Sequence, residues 1–283
     1  MMDINIYMIT CDKTNHVLNV TTPLLDKYWN IPKSVKILGF NKPDVELPSD
    51  YEFISMRPTQ LSIDDWCKDI YQTIYDDPNE FIIFMLDDFL PIDYINTEIL
   101  NYYFNKLEND ESLVRCGLGI DISFLSNRII ENYENYSVIE LSHLSPYRIT
   151  TQPSIWRKNY LLNFLGRSTN PWNFETQNNP MDGKKIIQTI NSHAFRYIEE
   201  SALSGRHPNN FNILGLRPSD VKWLVNENLL DENILQYGQH IGRVPQFKDY
   251  GYDFKVEVLK SYVNELKYEQ YLIRYKKYYD NQN

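Results

Sequence analysis

The predicted fold is organised around one apolar stretch, Glu80-Phe81-Ile82-Ile83-Phe84-Met85-Leu86-Asp87-Asp88-Phe89. Its apolar run is short, uninterrupted and followed by Pro91, which is typical of a strand buried on both faces of a mostly parallel sheet. Ligands of open α/β sheets collect beyond the carboxyl ends of strands, so Asp87 and Asp88 could hold a divalent cation that also binds phosphate. The alternative is that both aspartates begin a solvated turn before a segment that starts at Asn96.

Length, charge and cysteine content exclude several classes of protein. At 283 residues the chain can bury a full core as one large domain or two small ones. No apolar run approaches the roughly 20 residues that cross a bilayer, and the N-terminus lacks a signal-peptide pattern, so we expect a cytoplasmic protein. The net charge of −10 disfavours an extended nucleic-acid interface. The three cysteines are far apart and odd in number, which argues against disulfides and a cysteine-based zinc site.

Strands and helices alternate in the first part of the predicted structure. The patterns predict strands at 4–10, 35–40, 51–56 and 80–86, and helices at 22–28, 62–75 and 94–107. Ser62 is the expected N-cap of the second helix. Alternation of this kind favours an α/β layer architecture. The sequence contains neither G-x-G-x-x-G nor a P-loop motif, so any phosphate binding would need another explanation.

Polar residues follow two further predicted strands at the edge that carries Asp87. Thr10 and Asp12 come after the first strand, and Arg57 comes after the third. Asp12 could accept hydrogen bonds from a nucleotide base or ribose, or it could cap the helix that follows. Arg57 suits a diphosphate, and the alternative is a surface ion pair.

The second part of the chain is less regular. Short strands are predicted at 114–117, 137–141 and 195–201, an extended polar segment at 146–156, and a helix at 158–165 that ends at Gly166. Two later helices are predicted at 218–230 and 255–279. The mixed charges of the last helix favour a docking or dimer contact over a membrane anchor.

The segment Asn170-Pro171-Trp172-Asn173-Phe174-Glu175 combines two aromatic residues with a carboxylate. Aromatic rings offer stacking faces to a sugar, and Glu175 could act as a base or acceptor. The same residues also fit the start of a helix, with Asn170 as cap and Pro171 in the first turn. Both interpretations can hold at once.

Three motifs in this order resemble a family of sugar transferases from bacterial polysaccharide clusters and from large DNA viruses and phages. The motifs are Leu86-Asp87-Asp88-Phe89; Pro146-Tyr147-Arg148 with Gln152 and Ile155-Trp156; and Asn170-Pro171-Trp172-x-Phe-Glu175. Together with Trp29, Gly39-Phe40 and Trp66, they match the family over roughly residues 4 to 230. The family layout is similar to the GT-A glycosyltransferase fold. The resemblance therefore implies one continuous domain with a Rossmann-type nucleotide-sugar-binding half at 1–110, built on a central mostly parallel sheet, and an acceptor-binding half at 111–283 with C-terminal helices.

The resemblance also implies roles for individual residues. Asp87 and Asp88 would stand in for the D-x-D metal motif, with Mn²⁺ or Mg²⁺ as cofactor, although here the two aspartates are adjacent. Asp88 would be the metal ligand and a catalytic residue, while Asp87 would contact the ribose or the transferred sugar as well as the metal. The remaining implied residues are Thr10, Asp12, Arg57 and Trp66 for the donor, Arg148, Gln152 and Trp172 for the acceptor, and Glu175 as the catalytic carboxylate.

The resemblance and these residues together predict a metal-dependent, inverting glycosyltransferase that moves a sugar from a nucleotide-sugar to a hydroxyl of a glycan or other acceptor. A retaining route stays open, because the sequence does not show which face of the sugar Glu175 addresses. One alternative is a sugar nucleotidyltransferase, which generally needs a glycine-rich loop after its first strand; Thr10-Cys11-Asp12-Lys13 has no glycine. A second alternative is a non-catalytic carbohydrate-binding or assembly protein on the same fold. A third is a phage enzyme that glycosylates modified DNA bases, against which the acidic charge counts. A homodimer through the C-terminal helix is also expected.

Overall fold

The computed structural model describes residues 4–59, 62–91, 93–119, 127–141, 148–178, 180, 182–190 and 192–199. The predicted helices at 218–230 and 255–279, and with them the expected dimer contact, lie outside the described residues. In the part of the chain that is described, no helix is long and apolar enough to span a membrane.

The described chain alternates strands and helices. The strands are β1 (Ile4–Ile9), β2 (Lys33–Gly39), β3 (Tyr51–Ser55), β4 (Phe81–Leu86), β5 (Phe89–Pro91), β6 (Leu113–Gly117), β7 (Asn127–Asn132), β8 (Ser137–Leu141), β9 (Ser154–Arg157), β10 (Lys185–Ile190) and β11 (Tyr197–Glu199). The α-helices are α1 (Leu18–Tyr28), α2 (Trp66–Ile74), α3 (Thr97–Asn109), α4 (Lys158–Leu165) and α5 (Pro171–Thr176).

A nine-stranded sheet with the order β3-β2-β1-β4-β9-β6-β10-β8-β7 forms the centre of the fold. Only β8 and β9 run antiparallel to the other strands of this sheet. The prediction of an α/β fold with a mostly parallel central sheet is therefore confirmed. The parallel order β3-β2-β1-β4 is that of the first half of a Rossmann-type sheet, in which the chain reverses direction across the sheet between β1 and β4.

The helices cover both faces of the sheet. Side chains of α1 and α3 pack with Ile83 and Met85 on one face, and those of α2 and α4 pack with Ile82 and Phe84 on the other. Strand β4 is therefore buried on both sides, as its uninterrupted apolar sequence predicts. Its carboxyl end, where Asp87 follows, is held in place by two packed layers.

Several elements differ from the prediction. Helix α1 begins at Leu18 and not at residue 22, and Pro23 lies inside it, where a proline removes one backbone hydrogen bond. Strands β5, β7 and β10 were not predicted. Strand β10 lacks an uninterrupted apolar run, since the buried polar residues Gln188 and Thr189 stand in its centre. The Ser62 cap is confirmed, because its side chain accepts a hydrogen bond from the Asp64 amide at 3.2 Å.

At the opposite, amino-terminal end of the sheet, Asp77 joins three elements. Its carboxylate accepts a short hydrogen bond from the Tyr7 hydroxyl, an ion pair from Lys36 at 2.9 Å and the amide of Asn79 at 2.8 Å. Burial by itself would raise the pKa of Asp77, but these bonds outweigh it and hold the pKa well below its usual range. The ionised form is therefore favoured by folding.

We predict that Asp77→Asn lowers the free energy of unfolding by about 1–3 kcal/mol at pH 7, because the Lys36 pair and the charge-assisted bonds are lost. A carboxyl whose pKa is depressed in the folded state stabilises the protein above its unfolded pKa, and that stabilisation disappears as the pH falls. The difference between wild type and variant in urea unfolding should therefore shrink below about pH 4. Exposed Asp76→Asn is the matched control and should change little. Equal losses in both variants would contradict the prediction.

Candidate functional site

Thr10, Thr14, Asp87 and Asp88 lie together where β1 and β4 end, and we call them the switch-point cluster. The hydroxyls of Thr10 and Thr14 donate to the same oxygen of Asp87, Oδ2, at 2.6 Å and 2.7 Å. The Asp87 amide donates to the carbonyl of Ile9 at 2.9 Å, which extends the pairing of β1 with β4 by one residue. Asp87 is thus fixed by the first strand and by the loop that follows it.

A third threonine connects this cluster to the helix layer. Thr21, which is fully buried in α1, donates from its hydroxyl to the main-chain carbonyl of Asp87 at 2.5 Å. Neither Thr14 nor Thr21 was predicted as a site residue. Threonines in a loop and in a helix carry no periodic signal, so only the fold reveals that their hydroxyls converge on Asp87.

The environment of Asp87 disfavours a negative charge. Only 4% of Asp87 is exposed. Burial and then the neighbouring charge of Asp88 raise the pKa of Asp87 well above its ordinary value, and the hydrogen bonds from Thr10 and Thr14 offset this only in part. A cation bound at this position would relieve both unfavourable effects.

The residues present fit a cation that takes most of its ligands from elsewhere. Among the described residues, no group of three or more His, Cys, Asp and Glu side chains could hold a metal by itself. Mg²⁺ sites of nucleotide enzymes commonly have one or two carboxylates, with substrate phosphates and water supplying the other ligands. Asp87 and Asp88 match that donor set, and a bound cation would stabilise the unfavourable buried charge of Asp87.

Asp12 does not cap α1, and its carboxylate contacts the loop that follows β2. Its carboxylate accepts hydrogen bonds from the Asn41 amide at 3.1 Å and from the Asn41 side chain at 2.6 Å. The cap position of α1 is Val17, which makes no side-chain capping bond. Asp12 therefore joins the loops after β1 and β2 beside the switch-point cluster.

Arg57 and Trp66 lie near the start of α2, beside the cluster's edge of the sheet but in contact with the helix. Arg57 forms ion pairs with Asp69, at a short distance, and with Asp65 at 3.6 Å. Trp66 is 4% exposed and packs edge-on against Phe84, with ring centroids 6.5 Å apart. The ion-pair alternative for Arg57 is thus observed, and Trp66 is a core residue of the layer beneath the site.

Glu175 is held by two buried threonines. Its Oε1 atom accepts hydrogen bonds from the Thr150 hydroxyl at 2.9 Å and from the amide and hydroxyl of Thr151, both at 2.7 Å. None of the described residues donates a hydrogen bond to Oε2. These three bonds fix the orientation of the carboxylate through one oxygen.

The helix that carries Glu175 begins as a capped helix, as one interpretation of its sequence predicted. The side chain of Asn170 accepts from the Asn173 amide at 2.9 Å, and Pro171 occupies the first turn. Trp172, in the same turn, is 64% exposed. The capped helix thus exposes the Trp172 indole to solvent within one turn of Glu175.

Gln152 and Arg148 lie on the segment that carries the two threonines. Gln152 is half-buried between Thr150 and Ser154. Arg148 is 1% exposed, and its guanidinium donates to the carbonyls of Leu141 and Lys184, both at 2.9 Å. Arg148 is therefore a buried residue that connects main-chain segments, and it is not among the residues of the proposed acceptor site.

Aromatic packing connects the helix that carries Glu175 to β4. Phe174 is fully buried and packs against Phe84, with ring centroids 6.5 Å apart. Asp87 follows Phe84 by three residues, which is about 10 Å along a strand. Glu175 adjoins Phe174 in sequence, so it belongs to the layer that packs on the Phe84 side of the sheet.

No protein-family model and no curated protein matches the sequence. Many solved structures are similar to part of the chain, two of them as follows. One is CMP:2-keto-3-deoxy-manno-octonic acid synthetase complexed with CTP, at 12% identity and a TM-score of 0.39 over 66% of this chain and 89% of that chain. The other is residues 1–349 of S. aureus TarS, at 14% identity and a TM-score of 0.42 over 75% of this chain and 62% of that chain.

We predict that Asp87→Asn stabilises the ligand-free protein, by about 2 kcal/mol near pH 8, because the amide keeps the bonds from Thr10 and Thr14 without a buried charge. An acid whose pKa is raised by folding destabilises the folded state as the pH rises above its unfolded pKa. The increase in the free energy of unfolding of the variant over wild type should therefore be smaller near pH 5 than near pH 8. Urea unfolding in the presence of a chelator measures this difference. Exposed Asp44→Asn serves as the control. A loss of stability at both pH values would contradict this assignment of Asp87.

Proposed function

We propose that this protein is a nucleotide-sugar enzyme, and specifically a glycosyltransferase that moves a sugar from a nucleoside-diphosphate sugar to an acceptor hydroxyl. The observation that carries the proposal is the position of Asp87 and Asp88 at the switch point between β1 and β4. Ligands of open α/β sheets bind in the crevice at that point. Two carboxylates there suit a metal-bound diphosphate better than a phosphate alone, because like charges repel.

The donor would bind at the switch-point cluster. Asp88, which is half-buried and therefore reachable, would be the cation ligand, and Asp87 would support it while Thr10 and Thr14 fix its orientation. A bound Mn²⁺ or Mg²⁺ would offset charge that develops on the departing diphosphate. Asp12 adjoins the cluster and could contact the nucleoside. Arg57 would reach the diphosphate only by exchanging one of its ion pairs.

Glu175 would receive the proton of the acceptor hydroxyl. The threonine bonds hold Oε1, so Oε2 would be the atom that accepts the proton. General-base catalysis of this kind typically contributes about 10²–10⁴-fold in rate. Attack from the face opposite the leaving diphosphate would invert the anomeric centre.

The acceptor would lie over α5. Trp172 offers a large exposed ring beside the proposed base, and a sugar ring stacks well on such a surface. Gln152, half-buried on the neighbouring segment, could supply an amide to the acceptor's hydroxyl groups. A glycan or glycoconjugate is therefore the proposed acceptor class.

A thermal-shift screen tests donor binding. Nucleoside diphosphates, triphosphates and nucleotide-sugars are each tested with Mn²⁺, with Mg²⁺ and with a chelator. A ligand that binds the folded state raises stability by about RT ln(1 + [L]/Kd), so we expect a cation-dependent shift with one family of nucleotide-sugars. Asp88→Ala should abolish it and exposed Asp44→Ala should not. A shift with a triphosphate alone would favour a nucleotidyltransferase, and no shift with any nucleotide would favour a non-catalytic carbohydrate-binding protein.

We predict that Glu175→Gln lowers kcat by about 10²–10⁴-fold while the affinity for the donor stays unchanged, because the amide keeps the threonine contacts but cannot take a proton. Turnover of the matched donor and acceptor is measured by release of nucleoside diphosphate. Thr151→Ser retains the hydroxyl that contacts Glu175 and should stay active. Near-wild-type turnover of Glu175→Gln would remove it from the catalytic role.

Trp172→Ala should raise KM for a glycan acceptor by about 5- to 10-fold and leave KM for the donor unchanged, since one aromatic stacking contact contributes on the order of 1 kcal/mol. Tyr94→Ala, which removes another exposed aromatic ring, is the control and should change neither constant. An equal rise in both KM values would contradict a specific acceptor contact.

A further inference from the structure

Strand β7 forms one edge of the nine-stranded sheet, and among the described strands it pairs only with β8. Two of its isoleucines are exposed, Ile129 by 52% and Ile130 by 36%. An edge strand presents unpaired main-chain groups along its open side, and an apolar edge readily accepts a further strand. The sequence of β7 contains no lysine and no proline, two of the residues that protect such edges, but it does contain the charged residues Arg128 and Glu131.

The sequence of β7 is complementary to itself when two copies run antiparallel. In the alignment centred between Ile129 and Ile130, Arg128 of one copy lies opposite Glu131 of the other. The isoleucines then lie opposite each other, and Asn127 lies opposite Asn132. Opposite-charge and β-branched pairs are favourable across antiparallel strands, and a two-fold axis makes each pair occur twice.

A bulge in β7 makes this alignment compatible with a two-fold axis. Residues that such an axis places opposite each other must lie on the same face of the strand, and in a regular strand Arg128 and Glu131 would lie on opposite faces. Here Arg128 pairs with Glu140 and Glu131 pairs with Val138, and these partners stand two residues apart in β8. Arg128 and Glu131 therefore lie on the same face, because the bulge adds one residue between them.

We propose that β7 pairs antiparallel with β7 of a second copy of this chain around a two-fold axis, which joins the two central sheets edge to edge. This pairing does not depend on the proposed function. It uses a different surface from the C-terminal helix to which the sequence pattern assigned a dimer contact.

The opposite edge of the sheet lacks this complementarity. Self-pairing of β3 about Phe53 would place Glu52 opposite Ile54, with no cation to meet the carboxylate. Glu52 is exposed, and β3 contains no basic residue that could lie opposite it, so its charge disfavours self-pairing. The two edges therefore differ in their capacity to bind a second copy.

The intrachain partners of the charged residues leave them able to contact a second copy. Arg128 is 63% exposed and pairs with Glu140 at 3.2 Å. Glu131 is 30% exposed, pairs with Lys106 through Oε1 and accepts a hydrogen bond from the Tyr133 hydroxyl at Oε2, at 2.6 Å. Both pairs lie at the surface, where a second opposite charge can be added without the cost of burying an isolated ion.

The same bulge limits the strength of the pairing. The register of β7 against β8 shifts between Ile129 and Glu131, so Ile130 is the extra residue. Bulges increase local twist and weaken edge-to-edge contacts. A six-residue strand pair is also smaller than a standard interface. We therefore expect a dimer whose population depends on protein concentration.

Sedimentation velocity of the full chain between about 1 and 100 µM tests the proposal, since this range spans micromolar dissociation constants. Wild type should shift from monomer to dimer. Ile129→Lys should raise the dissociation constant at least about tenfold, because it places a charge in the apolar centre. Arg128→Glu should do the same, because it places glutamates opposite each other at both ends of the pairing.

The charge-swapped double variant Arg128→Glu/Glu131→Arg should restore the dimer. Within one chain, both swapped residues face a like charge, Glu140 at position 128 and Lys106 at position 131. Contacts within the chain therefore become repulsive, and only pairing between two chains can account for a restored dimer. Glu52→Lys on β3 is the control and should leave dimerisation unchanged, and far-UV circular dichroism should report a wild-type fold throughout. A monomer over the whole concentration range would overturn the proposal, as would a dimer insensitive to Ile129→Lys and Arg128→Glu.

Discussion

The hydrogen bonds from Thr10 and Thr14 to Asp87 are the contacts on which the candidate site depends. They connect the loop after the first strand to the end of β4, at the point where the strand order of the sheet reverses. A hydroxyl can donate to a carboxylate whether or not a cation is bound, so the threonines can fix Asp87 in both states. Thr21 adds a contact from the helix layer to the same residue.

The same arrangement places a carboxylate where its charge is costly. Burial and the charge of Asp88 raise the pKa of Asp87, whereas the hydrogen bonds that surround Asp77 lower the pKa of that residue. The two ends of the sheet thus use buried aspartates in opposite ways. The hydrogen bonds and the ion pair of Asp77 stabilise its negative charge and the fold. The negative charge of Asp87 is unfavourable where it is buried beside Asp88, and a bound cation would stabilise it.

The strand before Asp87 and the architecture around it could be predicted from the sequence, because an uninterrupted apolar run followed by polar residues is compatible with few positions in a fold. Strand β10 could not, because Gln188 and Thr189 interrupt its apolar pattern. The partners of the two carboxylates could not be predicted either. Thr14 lies 73 residues from Asp87 in sequence, and Thr151 lies 24 residues from Glu175. Two motif residues that suggest a ligand contact have structural contacts instead. Trp66 packs in the core, and Arg148 donates hydrogen bonds to main-chain carbonyls.

The most direct test of the central claim is a crystal structure of the full chain grown with Mn²⁺ and a nucleoside diphosphate, with the metal located by its anomalous signal. The proposed site requires a single Mn²⁺ peak at the Asp88 carboxylate, with diphosphate oxygens completing its ligands and the nucleoside extending over the loop that contains Asp12. Nucleotide bound elsewhere on the sheet, or an anomalous peak away from both Asp87 and Asp88, would contradict the assignment of the switch point as the donor site.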